Sequence, residues 1–327
     1  MGSKNVLFLP GDEPGPEIMN IVESVLGLMV PELTFSHADY GRAAWEYTNE
    51  VLPPDTEDAI AEADVVFCSP SDVSNIGKKD PLDTIILYNN LYLRATEFTK
   101  LSYICSREVN ACVVAPVAEV IRQINELESL DGVDSTYSTV AEDTERFFRM
   151  GFRLARMREK NRITHVVPSE IMPHSSRFSE YLFRETAKSY GLPSSVMTCS
   201  EAAELLASKP AEAGLMIGGN IVSTALRGEA YGISNSRGLT GDLYMGNNLS
   251  VYSIGRDIPE HRRNNPTAAL LSAANMLMDT GYVFEGKTLV AGIKELYHDK
   301  MTTTDVTNGK MTTAEFGNCL IEWLNSN

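Results

Sequence analysis

An α/β fold is what this sequence predicts, and two observations carry it. Short apolar runs of strand length alternate with longer stretches whose apolar residues recur at helical spacing. The chain is also long enough, at 327 residues, for about two domains, and its 43% hydrophobic and 22% charged composition is that of an ordinary globular protein.

The elements read in order. Asn5–Leu9 is an apolar strand turned by Pro10-Gly11-Asp12. Pro16-Glu17 opens a helix with proline in the first turn, where its missing N–H costs little. Ile18, Ile21, Val22 and Val25 then mark its buried face. Ala63–Cys68, Tyr103–Cys112 and Ile163–Val167 read as further strands. Helices are expected over Asp143–Lys160, Phe178–Tyr190 and Ser200–Leu206. Asn265-Pro266 is a strong helix start, with Asn265 as the cap, and that helix stops at Gly281. Thr313–Asn325 closes the chain as an amphipathic helix.

Charge narrows the partners. The net charge is −16, from 44 acidic and 28 basic residues. Phosphate backbones and anionic membrane surfaces gather lysine and arginine, so nucleic acid and membrane are not expected partners. A small acid remains compatible, because a few local arginines suffice to hold it. Five scattered cysteines without CxxC spacing read as reduced thiols. Lacking a long apolar run or a leader pattern, the chain is expected to be cytoplasmic.

Four stretches, in order, resemble one family. Leu9-Pro10-Gly11-Asp12-Glu13-Pro14-Gly15-Pro16-Glu17 is similar to LPGDGIGPE. Gly219-Asn220-Ile221 with Glu229-Ala230 is similar to GNIFGDILSDEA. Asn265-Pro266 through Met276-Leu277 is similar to NPIAAILSAAMML, and Thr303-Thr304-Asp305 with Thr312-Thr313 and Glu315 to TRDIGG…TT.E. The chain thus resembles the β-decarboxylating isocitrate/isopropylmalate dehydrogenases. That resemblance implies an α/β fold of two domains around a central cleft: 1–99 plus 237–327 as the first, 100–236 as the second. It also implies a homodimer whose sites borrow residues from the partner subunit.

The family's chemistry oxidises a 2-hydroxy acid with NAD(P), while a divalent metal polarises the oxygens. Such a hard cation needs carboxylate oxygens. Aligned without gaps, the two helix aspartates fall on Thr224 and Gly228 and the third on Ser200. The catalytic lysine falls on Pro168, and no lysine occurs from Asn161 to Thr186. A divalent metal is therefore not expected, and NAD(P) stays open as a cofactor. Arg107 and Arg122 resemble the family's substrate arginines. Arg94 is similar to the first of that set at a longer spacing. Tyr137 is the candidate for the family's tyrosine acid, and Glu170 and His174 are candidate new acid/base groups beside the former lysine position. Arg256 and Asn265 are candidates for holding a nucleotide. The expected ligand is a small carboxylic acid. A catalytically inactive regulatory paralogue and an ordinary NAD(P)-dependent 2-hydroxy-acid dehydrogenase are the alternatives.

Overall fold

A computed structural model describes residues 4–118, 120–256, 258–306 and 308–327. The first third of the chain runs β1 (Asn5–Leu9), α1 (Gly15–Met29), β2 (Thr34–His37), α2 (Gly41–Thr48), α3 (Pro54–Glu62), β3 (Val65–Cys68), α4 (Pro81–Tyr88) and β4 (Leu93–Thr99). The middle runs β5 (Asn110–Pro116), β6 (Ile124–Ser129), β7 (Gly132–Tyr137), α5 (Ala141–Met157), β8 (Ile163–Val167), α6 (Pro173–Lys188), β9 (Ser194–Thr198), α7 (Cys199–Ser208), β10 (Gly214–Gly218) and α8 (Asn220–Ser234). The last part runs β11 (Asp242–Met245), β12 (Ser250–Ser253), α9 (Thr267–Asp279), α10 (Val283–His298) and α11 (Thr313–Ser326).

Ten strands form one mixed sheet in the order β2-β1-β3-β12-β11-β4-β5-β10-β8-β9. The strands β3, β8 and β10 are buried along their whole length, as expected where helices cover both faces of a parallel sheet. β4 and β5 pair antiparallel along the seam, with Arg94 opposite Ala115. Strands on one side of this seam come from the two ends of the chain, and those on the other from its middle. β6 and β7 form a separate exposed hairpin.

Several sequence motifs acquire a structural meaning. Gly11 sits at φ 62°, and a Cβ on Gly15 would overlap the Pro10 carbonyl and the Ser69 side chain. Glycine is needed there for strand and helix to meet. The Asp12 carboxylate accepts from Ser71 Oγ (3.0 Å) and Asp72 N (2.9 Å), tying the β1–α1 turn to the turn after β3. Thr312 and Glu315 form a capping box on α11, which is what the Thr-Thr-x-Glu stretch is for. Ten of the 13 residues of α9 are buried, so this Ala- and Leu-rich helix is central rather than amphipathic.

One expected strand needs correction. Tyr103–Cys112 is not a strand: the chain turns at Leu101–Cys105, and β5 begins at Asn110. Tyr103 and Ile104 pack against the core from that turn, and their apolar character mimics a strand in sequence. All five cysteines are free thiols. Among the described residues no helix is long and apolar enough to cross a membrane.

Candidate functional site

Helix α8 starts where Gly218 and Gly219 end β10. Ser223, fully buried, fixes it to the sheet, with its Oγ within reach of the Val114 carbonyl (2.9 Å) and the Gly218 carbonyl (3.0 Å). This anchor aims one face of α8, at i, i+4 and i+7, toward the β4–β5 seam: Asn220, Thr224 and Arg227. There they line a cavity of about 250 Å³ together with Arg94, Ala115, Tyr244 and Arg256.

Three guanidinium groups thus share one wall, each in a different setting. Arg94 Nη2 donates to Asp242 Oδ2 at 2.6 Å, and Thr96 donates to the other oxygen of the same carboxylate. Burial alone would raise the Asp242 carboxyl. The adjacent Arg94 and the Thr96 hydrogen bond outweigh it and hold Asp242 below its ordinary value. Arg256 forms ion pairs with two aspartates, Nη1 lying 2.6 Å from Asp83 Oδ1 and Nε 3.6 Å from Asp80 Oδ2. Both arginines flank the Tyr244 ring, with guanidinium carbons 5.7 and 5.8 Å from its centre. Arg227 differs from both. Among the described residues no carboxylate comes within ion-pair range of it and it makes no hydrogen bond. Burial, then the repelling charge of Arg94, depresses its proton affinity. Arg94 Nε and Arg256 Nη2 are also buried with no hydrogen-bond acceptor among the described residues.

This wall does not fit a divalent metal. Among the described lining residues there is no carboxylate, and three cations face the space. Asp242, the nearest buried acid, has both oxygens engaged. Among the described residues, the His/Cys/Asp/Glu group close enough to share an ion is Glu295, His298 and Asp299, exposed at the C-terminal end of α10.

A second cavity of about 270 Å³ lies above the β1–α1 turn and shares Arg256 with the first. Its wall includes Asp12, Glu13, Asp72 and Asp80 against Arg256 and Arg263. Acids outnumber the cations, and Arg256 is already paired. These residues do not build a pyrophosphate cradle, so no step is assigned to a dinucleotide.

The residues singled out in sequence scatter. Arg94 and Arg256 line the arginine cavity, and Arg256 also the neighbouring one. Arg107 is exposed and donates to the Ala207 (2.7 Å) and Ser208 (2.9 Å) carbonyls at the end of α7. It therefore satisfies a helix C-terminus and is absent from the cleft wall. Arg122 is exposed and lines none of these cavities. Asn265 is buried with both ends of its amide used: Oδ1 accepts from Thr267 N, and Nδ2 donates to Asp305. It caps α9 and is tied to the Thr303-Thr304-Asp305 loop. His174 is exposed at the start of α6. Glu170 is exposed as well and accepts from Ser200 Oγ at 3.3 Å. Tyr137 packs against Gly219, its phenol pushed up by burial, and faces a different, apolar hollow. Arg227 was not foreseen. The signal was present, since it stands three residues after Thr224 on the face under scrutiny.

Fold and site together define an α/β protein with a cationic cavity straddling the seam between two halves of one sheet. The isocitrate/isopropylmalate dehydrogenase family model matches residues 5–320. A 3-isopropylmalate dehydrogenase of Archaeoglobus fulgidus is 23% identical over 322 residues, covering 96% of this chain and 98% of the relative. Among solved structures, a β-decarboxylating dehydrogenase from Thermococcus kodakarensis superposes with a TM-score of 0.86 at 18% identity, covering 99% of this chain and 96% of that one. An isocitrate dehydrogenase from Methylococcus capsulatus gives 0.82 at 20% identity, covering 98% of each. The chain belongs to the isocitrate/isopropylmalate dehydrogenase family.

Proposed function

We propose that this family member binds a small carboxylic acid in the arginine-lined cavity and does not carry out the family's metal-dependent oxidative decarboxylation. One observation carries this reading: Arg94, Arg227 and Arg256 line a cavity with no acid among its described lining residues. Guanidinium forks match carboxylate oxygens, and a cationic wall repels a divalent ion. The absence of acids at Thr224, Gly228 and Ser200, and of a lysine at Pro168, supports the same reading from sequence. The two halves of the sheet serve as the two domains that flank the cleft.

A thermal-shift screen tests the proposal, using divalent cations, NAD(P) and di- and tricarboxylates singly and in combination. Carboxylates alone are expected to raise the melting temperature, with no further rise from Mg²⁺ or Mn²⁺. A shift that needs metal and NAD(P) together would establish the ordinary dehydrogenase instead. No shift with any carboxylate would favour the inactive paralogue.

A homodimer is the expected assembly. Ile171 (80% exposed) and Ile221 (54%) border an apolar hollow of about 300 Å³, and the β6–β7 hairpin exposes Leu127, Leu130 and Val133. Exposed apolar surface on this scale fits a covered face. Light scattering should give the mass of two chains, and Ile221→Asp should give that of one.

A further inference from the structure

Resting on that reading, we infer that Arg227 stands in for the metal: its guanidinium supplies the positive charge that receives a ligand carboxylate, and binding proceeds without any divalent cation. The geometry separates Arg227 from its neighbours. Arg94 and Arg256 are each held by aspartates behind the wall, Asp242 for one and Asp80 with Asp83 for the other. Those acids lie outside the lining of the arginine cavity, so they orient the two guanidiniums and offset their charge. Arg227 alone of the three makes no ion pair among the described residues, and Asp242, already held by Arg94 and Thr96, attracts it only from beyond ion-pair range. A half-buried cation left in this state is costly unless a ligand completes it.

Position supports the substitution. Arg227 lies on the same face of α8 as Thr224, one turn on, and both line the cavity. Thr224 is where the sequence match places an aspartate that would ligate a cation. The acid at that position is gone, and a fixed cation has appeared beside it. Charge in this part of the cavity is thus supplied covalently. The ligand class that follows is a small organic acid with one carboxylate on Arg227 and the rest of the molecule against Ala115, Thr224 and Tyr244.

Isothermal titration calorimetry with succinate, malate and citrate in excess EDTA tests this on the intact chain and on Arg227→Ala and Arg227→Lys. Wild type is expected to bind at least one of the three acids. Arg227→Ala should weaken it by roughly ten- to a hundredfold, as expected for one charge-assisted contact. Arg227→Lys, which keeps the charge and loses the fork, should fall between. The melting temperature of unliganded Arg227→Ala should be unchanged or higher, because a repelling charge is removed; a structural role would lower it. Unaltered affinity in Arg227→Ala overturns the inference and leaves the carboxylate-binding reading standing. Absence of binding by wild type in EDTA overturns both, and restoration by Mg²⁺ assigns the charge to a metal.

Discussion

Two clusters of buried cations in this protein make opposite use of the same chemistry. Arg158, buried, donates to Asp279 from Nε (3.1 Å) and Nη2 (2.9 Å) and to Glu97 from Nη1 (3.1 Å). Lys160 completes the set on the other oxygen of Glu97, and Tyr252 donates to Asp279. Two cations meet two carboxylates and every charge has a neighbour. Among the described residues, the cleft cluster leaves Arg227 without an ion pair and Arg94 Nε and Arg256 Nη2 without acceptors. Buried charge that is fully paired holds structure together, whereas buried charge left open marks where a ligand is needed.

Breaking the balanced cluster should give the largest effect. Arg158→Ala strands Glu97 and Asp279 in the interior, and urea unfolding should show a loss of about 3–5 kcal/mol. Little loss would mean water reaches that network and the contrast is weaker than drawn.

The next effect is a pH dependence. His165 is buried beneath Phe148 and Phe183, with Nδ1 at 3.0 Å from the Ile217 carbonyl and Nε2 at 3.0 Å from Ser179 Oγ. Burial pushes its pKa down to about 4. The folded state therefore holds His165 neutral where the unfolded chain protonates it. Stability is fully present above pH ~6.5 and falls as the pH drops toward 4, by about 3 kcal/mol in total. Unfolding free energies for wild type and His165→Gln across that window should converge at low pH. A constant difference would refute the assignment.

Smaller still is Arg227→Ala, whose unliganded stability should lie within about 0.5 kcal/mol of wild type or above it, while its carboxylate affinity is expected to fall. Arg107→Ala should cost about 0.5–1 kcal/mol through the carbonyls at the end of α7, with carboxylate affinity unchanged. A drop in affinity there would return Arg107 to the site.

What sequence could read follows from how local each signal is. Proline and glycine punctuation placed β1 and α1 because those turns are chemically specified within a few residues, and apolar spacing placed α11. The Tyr103–Cys112 error arose because a turn that packs Tyr103 and Ile104 inward carries the same apolar pattern as a strand. The residues at the aligned positions, Thr224, Gly228, Ser200 and Pro168, are legible one by one. The arginines were harder, since cleft residency depends on which strand crosses the seam. Arg94 reaches the cavity from β4, whereas Arg107 lies in the turn region and points to α7. Arg227 went unnoticed because motif matching attends to the expected residues at Thr224 and Gly228, and a new cation between them belongs to no motif.

The most direct test of the central claim is a crystal structure grown with succinate and Mn²⁺, with anomalous scattering collected for manganese. The account predicts a carboxylate seated on Arg227, beside Arg94 and Arg256, and no manganese peak in the cavity. A manganese peak next to Thr224 bridging protein and ligand would contradict it.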